Sequence, residues 1–269
     1  MAADLGTNQA RFIDLIKTLE PVFIKAGKRA SLLQNTALVN KKLDTGTYEI
    51  DVVTNADIEV QEMVLSELCR TELRECRLVA EEKTDFADKF NPDGELLLAI
   101  DPIDGTYRYA AGKPIYSLIV SLQAPCLPLY TFAYYPAIDW AHRFVNNTHE
   151  EIGKRPALQL FADRRKAIAY SYGDPNKALP ESMKEEAKKN GYVFIDKKEL
   201  TLDCGAGTML LAGVVNGYYC ENPPAVDGLV GMHYALAHNY KIYSTLRKEW
   251  PKPGLGGIRY PGCYFILGE

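Results

Sequence analysis

Two aspartates follow an apolar run in the segment LLLAIDPIDGT, residues 96–106. Its first five residues are typical of a strand buried on both faces, and Asp104-Gly105 favours a sharp turn. The carboxylates of Asp101 and Asp104 therefore emerge at the carboxyl end of a core strand, where open α/β sheets bind ligands. Oxygen ligands in this arrangement suit a hard cation such as magnesium. Thr106 opens a helical turn, which leaves the amides of Gly105 and Thr106 to meet an anion.

Three further acidic residues are predicted at the ends of elements and could join this pair. Glu81 ends a short strand, Asp57 lies in the first turn of a helix, and Asp227 lies at the start of another helix. Several carboxylates cannot share a small site without cations, because like charges force proton uptake. Two or more magnesium ions would resolve that conflict, activate water and hold a phosphoryl group. These residues together predict metal-assisted phosphate hydrolysis.

Each acidic residue also has a purely structural explanation. Asp104 with its glycine is a common turn, and Asp57 is typical of a helix N-terminus. Glu81 fits a solvated loop edge, and Asp227 fits a helix cap. Their joint order along the chain, rather than any one of them, favours the functional interpretation.

The periodicity of the chain predicts the elements that must position these residues. Residues 8–30 have apolar positions at helical spacing and are predicted to form an amphipathic helix, which Pro21 is expected to kink. A second helix begins after Thr54, where Asp57 completes a capping box. Strands are predicted over residues 48–53, 78–80, 96–100, 115–122 and 129–135, the last two as an antiparallel hairpin.

The second half of the chain has a different, β-α-β pattern. A strand, a helix and a strand are predicted over residues 166–172, 180–190 and 192–195, with further helices over 205–214 and 227–237. We therefore expect a boundary near residue 150. Residues 1–150 would form an N-terminal α+β half that carries most metal ligands. Residues 151–269 would form a C-terminal α/β half that closes the active site.

The composition is that of an ordinary globular chain. Its 269 residues include 31 Lys+Arg and 35 Asp+Glu, a formal net charge of −4, and 47% of them are hydrophobic. This balance excludes collagen-like and disordered classes, and the absence of a basic stripe argues against a nucleic-acid partner. Six scattered cysteines without CxxC pairs, and no signal or membrane-length apolar segment, predict a soluble cytoplasmic protein with free thiols.

Together these residues resemble the inositol monophosphatase family, the lithium-sensitive, magnesium-dependent phosphomonoesterases. The family pattern Asp-Pro-Ile/Leu-Asp-Gly-Thr stands at residues 101–106, and its D-x-V-T-x-x-D segment matches residues 51–57. Ala80-Glu81-Glu82 stands where the family usually has Gly-Glu-Glu. The similarity covers most of residues 8–240. It implies an α/β fold (α+β layered), built as an alternating α-β-α-β-α sandwich, and a homodimer acting on a small phosphorylated metabolite.

The resemblance also implies a set of magnesium ligands. Glu81, Asp101 and the carbonyl of Ile103 would bind the first ion. Asp101, Asp104 and Asp227 would bind the second, and Glu81 would help to hold a third.

Catalytic and substrate-binding roles follow from the same resemblance. Asp57 and Thr106 would orient and deprotonate the water on the first metal, to which Glu81 also contributes. The amides of Gly105 and Thr106, beside Asp104, would hold the phosphate for in-line attack.

The chain departs from the family pattern near the substrate. The second family signature, W-D-x-A-A-G, is here VDGLVG at residues 226–231, so that Asp227 is kept and the Trp is lost. Cys220 falls where inositol-cleaving members have a Glu that binds a substrate hydroxyl, and Glu221 follows it. Both are candidate substrate-binding residues, and the change puts polyol recognition in question.

Several functions therefore stay open. A polyol phosphate similar to inositol monophosphate is the default substrate. Residues 205–207 and Gln61 resemble the bisphosphate nucleotidase branch, and fructose 1,6-bisphosphate is a third possibility. A catalytically degraded relative that regulates or binds is the alternative from another class.

Overall fold

The computed structural model describes residues 2–41, 52–156, 166–170, 173–196, 204–254 and 257–268. The helices are α1 (Ala2–Thr18), α2 (Glu20–Leu33), α3 (Asn55–Leu68), α4 (Thr106–Ala110), α5 (Pro175–Ala178), α6 (Glu181–Lys189), α7 (Ala206–Leu211) and α8 (Val230–Ala237). Short 3₁₀ turns cover Gln34–Thr36, Glu72–Glu75 and Ala87–Lys89. None of these helices is long and apolar enough to cross a membrane.

The strands form two main sheets and two small ribbons. They are β1 (Val39–Lys41), β2 (Val52–Thr54), β3 (Arg77–Ala80), β4 (Leu97–Asp104), β5 (Ser117–Ala124), β6 (Leu127–Tyr135), β7 (Trp140–Val145), β8 (Thr148–Gly153), β9 (Ala167–Tyr170), β10 (Val193–Asp196), β11 (Gly217–Glu221), β12 (Lys241–Ser244), β13 (Lys252–Gly254), β14 (Gly257–Arg259) and β15 (Cys263–Leu267). The first sheet has the order β3-β4-β5-β6-β7-β8 and the second β10-β9-β11-β15-β12.

The two sheets are layers in an α-β-α-β-α sandwich, as the resemblance implies. Apolar residues of α1, α2 and α3 cover one face of the first sheet. The helices α7 and α8 lie between its other face and the second sheet, and one apolar cluster joins all three layers. Residues near α5 and α6 cover the outer face of the second sheet. The expected boundary near residue 150 falls close to the end of β8 and stays a prediction.

The predicted β-α-β unit and hairpin are both present. Strands β9 and β10, on either side of α6, pair in parallel, and β5 pairs with β6 in antiparallel register. All six cysteines are free thiols, as the scattered spacing predicts. The single helix predicted over residues 8–30 is instead two, because the chain breaks at Leu19 and Pro21 occupies the first turn of α2. Of the strand predicted over residues 48–53, all but the last two residues lie outside the described residues.

A buried ion pair fastens α2 to the first sheet. Glu20, only 6% exposed at the start of α2, accepts hydrogen bonds from Arg143 Nε at 2.7 Å and from Tyr130 Oη at 3.0 Å. Arg143 Nη2 forms a second contact with the same carboxylate. Arg143 also reaches Glu150 on β8, at 2.6 Å, but that glutamate side chain is 59% exposed. The guanidinium therefore has one buried and one solvated partner.

This arrangement offers a matched pair of substitutions. We expect Glu20→Gln to lower the free energy of unfolding by about 2 kcal/mol, because a buried charged hydrogen bond is lost. Glu150→Gln, which removes the exposed partner of the same arginine, should cost less than about 1 kcal/mol. Urea unfolding followed by circular dichroism measures both. Equal losses in the two variants would contradict the assignment.

Candidate active site

The first two acidic residues are set by an irregularity in β4. Asp101 pairs with Ile119 of β5, but Asp104, three residues on, pairs with Ser117, so the register shifts between them. Such bulges re-aim side chains at the ends of strands. The Ile103 amide donates to Asp101 Oδ1 at 2.9 Å, and Ser117 Oγ donates to Asp104 Oδ2 at 3.2 Å. The bulge thus fixes both carboxylates at the carboxyl end of β4.

The turn after β4 needs a glycine for two reasons. Gly105 has φ +89°, a left-handed conformation that side chains disfavour, and a Cβ there would collide with the guanidinium of Arg108. Arg108 is only 3% exposed. Its Nε donates to the Ile115 carbonyl at 3.1 Å, and its Nη1 donates to Tyr107 Oη at 2.9 Å. A buried cation is therefore packed directly against the turn.

Asp57 and Thr106 meet across the chain, as the catalytic hypothesis requires. Thr106 Oγ1 donates to Asp57 Oδ1 at 3.1 Å and lies 3.1 Å from the Ile103 carbonyl. The other oxygen, Asp57 Oδ2, accepts from the amide and the hydroxyl of Thr54, at 2.8 and 2.6 Å. The predicted capping box is therefore present. The same carboxylate caps α3 and contacts the threonine of the proposed phosphate site.

Glu81 is held at the end of β3 by the residues around it. Its amide donates to the Ile100 carbonyl of β4 at 3.1 Å. The next residue, Glu82, exchanges two hydrogen bonds of 3.0 Å between its backbone and the side-chain amide of Gln61. Gln61 is fully buried, so its two hydrogen bonds fix the position of the turn that carries Glu81. Gln61 therefore has a structural role, whereas the sequence comparison had linked it only to the bisphosphate nucleotidase branch.

Asp227 comes from the other half of the chain, in a turn that precedes α8. The preceding loop is bound to the first sheet by Gln123, whose Nε2 donates to the Ala225 carbonyl at 2.7 Å. Tyr260 Oη donates to Gln123 Oε1 at 2.9 Å. Below the turn, Tyr264 Oη donates to the Gly228 carbonyl at 2.5 Å. These bonds fix the chain on either side of Asp227 to β5 of the first sheet and to β15 of the second.

The pKa shifts show that four carboxylates share this region. Burial raises the pKa of Asp101 well above its usual value, and the charges of Glu81, Asp104 and Asp227 raise it further. Burial also raises the pKa of Asp227, to about 8, with Asp104 and Glu81 adding to the shift. The cause is the one expected for like charges confined in a low-dielectric site.

Asp57 lies at the edge of this acidic cluster, which we define as Glu81, Asp101, Asp104 and Asp227. Burial raises its pKa to about 6; the hydrogen bonds from Thr54 oppose the shift, and the charge of Glu81 adds to it. Such a carboxylate changes protonation near neutral pH, as a general base requires.

The donor chemistry of the acidic cluster fits magnesium. Its members are carboxylates, the ligands that hard cations prefer, and Asp227 Oδ1 is buried without a hydrogen-bond partner among the described residues. Still, within the described part of the chain, no three His, Cys, Asp or Glu side chains are already arranged as a cation cage. The side chains of Asp101 and Glu81 lie within hydrogen-bonding distance of each other. The metal roles of Glu81, Asp101, Ile103, Asp104 and Asp227 stay predictions.

The two candidate substrate residues on β11 face opposite sides of the second sheet. Cys220 is fully buried in the central apolar cluster, and burial raises the pKa of its thiol. Glu221 lies on the other face, where its Oε2 accepts from the Asp174 amide at 3.3 Å and from Tyr219 Oη at 3.4 Å. Their roles in substrate binding stay predictions, and neither side chain is set up as a hydroxyl ligand beside the acidic cluster.

Sequence reasoning missed the residues that support the site. Arg108, Ser117 and Gln123 carry no motif that distinguishes them from packing residues. Arg108 alone had a usable signal, because it lies two residues after the motif at residues 101–106 and a charge near two aspartates needs an explanation. Gln123 acts through Ala225, a contact between residues 102 positions apart.

A family comparison agrees with these motifs. The model of the inositol monophosphatase family matches residues 16–218, a range that includes Asp57, Glu81, Asp101 and Asp104 but ends before Asp227. No curated protein matches the chain significantly.

Solved structures share the fold at low sequence identity. An IMPase of Thermotoga maritima is 18% identical, with a TM-score of 0.61, over 94% of this chain and 92% of its own. An IMPase/NADP phosphatase complexed with Mg²⁺ and phosphate is 16% identical, with a TM-score of 0.60, over 97% and 92%. A staphylococcal inositol monophosphatase in a LiCl-soaked inhibitory complex is 15% identical, with a TM-score of 0.60, over 97% and 91%.

The raised pKa values predict how stability depends on pH when divalent cations are chelated. The folded chain keeps protons on Asp57 up to about pH 6 and on Asp227 up to about pH 8, whereas an unfolded aspartate loses its proton near its ordinary pKa of 3.8. The unfolded state therefore binds fewer protons in this window, and the free energy of unfolding should fall as pH rises from about 4 to about 8.

Asp227→Asn should flatten the upper part of that profile, because it removes the group that titrates near pH 8. Asp88→Asn, at an exposed acid, is the matched control and should follow the wild-type slope. Thermal unfolding in chelator across this pH range measures the effect, and magnesium should restore wild-type stability at pH 8. A slope unchanged by Asp227→Asn would contradict the assignment.

Proposed function

Because the chain belongs to the inositol monophosphatase family, we propose that it is a magnesium-dependent phosphomonoesterase of small phosphorylated metabolites. Family membership supports a phosphatase, and magnesium is the cation named with one of the similar structures. The observation that carries the proposal is the convergence of Glu81, Asp101, Asp104 and Asp227, from distant parts of the chain, on one buried region.

The chemistry follows from the residues beside that cluster. When bound, magnesium would offset the carboxylate charges and polarise both water and the phosphate ester. Thr106 Oγ1 already donates to Asp57, so the pair can orient a water molecule and take its proton. A pKa of about 6 leaves Asp57 ionised at neutral pH. The amides of Gly105 and Thr106 would hold phosphate oxygens at the start of α4.

The finer features belong to the same proposal. A polyol phosphate is the family's default substrate, with nucleotide and sugar bisphosphates as the alternatives. We further propose two or three magnesium ions, a cytoplasmic homodimer, and inhibition by lithium, the ion soaked into the similar staphylococcal structure. A protein that only binds its ligand is the competing class.

The activity is tested by measuring phosphate release with and without magnesium. The substrates are inositol 1-phosphate, fructose 1,6-bisphosphate and 3′-phosphoadenosine 5′-phosphate. Asp101→Asn should lower kcat at least 100-fold, because this carboxylate is shared by both proposed ions. The exposed-acid control Asp88→Asn should keep the wild-type rate. Magnesium binding without turnover on the whole panel would favour the binding protein instead.

The role of Thr106 and Asp57 has a matched test of its own. Thr106→Ala removes the hydroxyl and should lower kcat about 100-fold, while Thr106→Ser keeps the oxygen and should stay within a few-fold of wild type. The wild-type rate should rise as the pH passes through about 6, because Asp57 loses its proton there. In Asp57→Asn, the rate should no longer rise over this pH range. An identical pH profile in Asp57→Asn would exclude Asp57 as the base.

A further inference from the structure

One buried cation lies against the turn that would hold the phosphate. Arg108 is in the first turn of α4, where its amide donates to the Gly105 carbonyl at 2.8 Å. A side chain on a helix leans toward the N-terminus, and that of Arg108 folds back over Gly105, where a Cβ would lie 2.7 Å from Cζ and 2.8 Å from Nε. Contacts with the backbone of the turn, and not charge alone, therefore place the guanidinium.

Two of the three guanidinium nitrogens have partners within the chain. Nε donates to the Ile115 carbonyl at 3.1 Å, and Nη1 donates to Tyr107 Oη at 2.9 Å. The first bond ties the turn to the segment that leads into β5. Cζ also lies 4.8 Å from the centroid of the Tyr107 ring. The guanidinium is thus held in one orientation before a ligand arrives, which lowers the entropic cost of binding.

The third nitrogen, Nη2, has no hydrogen-bond partner among the described residues. It is not one of the side-chain atoms that are buried without a partner in that part of the chain, so solvent reaches it although Arg108 as a whole is only 3% exposed. Polar groups of a buried side chain are normally hydrogen-bonded. The two N–H groups of Nη2 are therefore available to a ligand.

Glycines from two distant parts of the chain lie on either side of Nη2. Nη2 is the atom nearest to the position that a Cβ of Gly105 would take. A Cβ at Gly205, which precedes α7, would lie 3.6 Å from Nη2 and 3.9 Å from Thr208 Oγ1. Nη2 therefore lies between the turn after β4 and the start of α7, where neither glycine has a side chain to cover it.

An anion is the ligand that this position suits. A guanidinium stays charged at every working pH, and phosphate oxygens accept strong, charge-assisted hydrogen bonds from it. The amides of Gly105 and Thr106, which would hold phosphate oxygens, belong to the same turn. A neutral hydroxyl could accept from Nη2 but would make no use of the charge. In the proposed complex, the phosphate that is cleaved is the nearest anionic group.

We propose that Arg108 Nη2 donates to the phosphate group that is cleaved, as a third donor next to the amides of Gly105 and Thr106. This inference rests on the proposed phosphomonoesterase function and adds a substrate-binding residue that lies outside the motif at residues 101–106. The bonds to Ile115 and Tyr107 orient the guanidinium, and Nη2 makes the contact.

Binding of inorganic phosphate, the product, tests this assignment without turnover. Titration calorimetry in the presence of magnesium compares wild type with two variants. Arg108→Gln lacks the charge and should bind phosphate about tenfold more weakly or worse, because a charged hydrogen bond is lost. Arg108→Lys keeps a cation and should recover part of the affinity. For the best substrate of the panel, kcat/KM should fall in the same order, and the rise in rate near pH 6 should persist because Asp57 is unchanged.

Arg143→Gln is the control for a loss of stability. Arg143 is also a partly buried cation, but it lies on β7 in the ion pair with Glu20. This variant should keep the wild-type affinity for phosphate even where its thermal stability is lower. A folded Arg108→Gln that binds phosphate as tightly as wild type would refute the inference and leave Arg108 a purely structural residue.

Arginine side-chain NMR of the wild-type protein decides the matter if the Arg108 variants do not fold. Saturating phosphate, with magnesium present, should shift the Nε–H signal of the arginine that shows contacts to the Tyr107 ring, and should slow the rotation of its Nη2 group. An unchanged signal at saturation would overturn the proposal.

The two proposals fail in different ways. If no substrate of the panel is hydrolysed with magnesium, the proposed function fails, and the phosphate measurements alone decide the role of Arg108. If wild type and Arg108→Gln hydrolyse a substrate with equal kcat/KM, the role of Arg108 is refuted and the phosphomonoesterase activity stands.

Discussion

The burial of negative charge is the constraint on which the site depends. Four carboxylates converge in a partly buried region, in which Asp101 is only 5% exposed, and isolated charges there are costly. Burial and mutual repulsion raise the pKa values of Asp101 and Asp227, which favours protonated carboxyl groups when no cation is bound. A site that takes up protons in this way is equally suited to take up cations. The cost of folding the acidic cluster and the metal binding proposed for it thus have one physical origin.

The fold positions the acidic residues through hydrogen bonds from uncharged side chains. Gln61 holds the turn after β3, and Gln123 holds the loop before Asp227. Both amides are buried and bonded to backbone groups, so they fix position without adding charge. Ser117 does the same for Asp104. Neutral hydrogen bonds leave the carboxylates negative enough to attract a cation, whereas further arginines would compete with it.

Local patterns predicted much of this architecture. The capping box at Thr54, the hairpin of β5 and β6, and the β-α-β unit follow from turn chemistry and periodicity, which act over a few residues. The apolar spacing continues across Leu19 and so predicted one helix, in which Pro21 was expected to cause a kink; the structure has a full break there, with Pro21 in the first turn of α2. Asp227 was expected at the start of a helix, but α8 begins three residues later, at Val230.

The site was harder to predict than the fold, since its supports act at long range. The motifs indicated which acids could meet, and the charges of Glu81, Asp104 and Asp227 do act on Asp101, but the roles assigned to these residues stay predictions. The alternation of side chains along a strand places Cys220 and Glu221 on opposite faces of β11, which the sequence alone could predict. No sequence pattern indicated which of these faces lies toward the acidic cluster. That choice depends on the pairing of β11 with β9 and β15.

Arg108 shows how closely the turn and the charge balance are linked. Its guanidinium occupies the space where a side chain at residue 105 would lie, so the glycine permits both the left-handed backbone and the buried cation. Burial works against the charge on Arg108, yet the charges of Asp104 and Tyr107 keep its pKa raised. Asp104 therefore has a permanent positive neighbour, whereas Asp101 accepts from the Ile103 amide and is surrounded by the charges of Glu81, Asp104 and Asp227. In the proposed function, the charge that a divalent cation would have to offset is greatest at Asp101, the most buried of the four carboxylates.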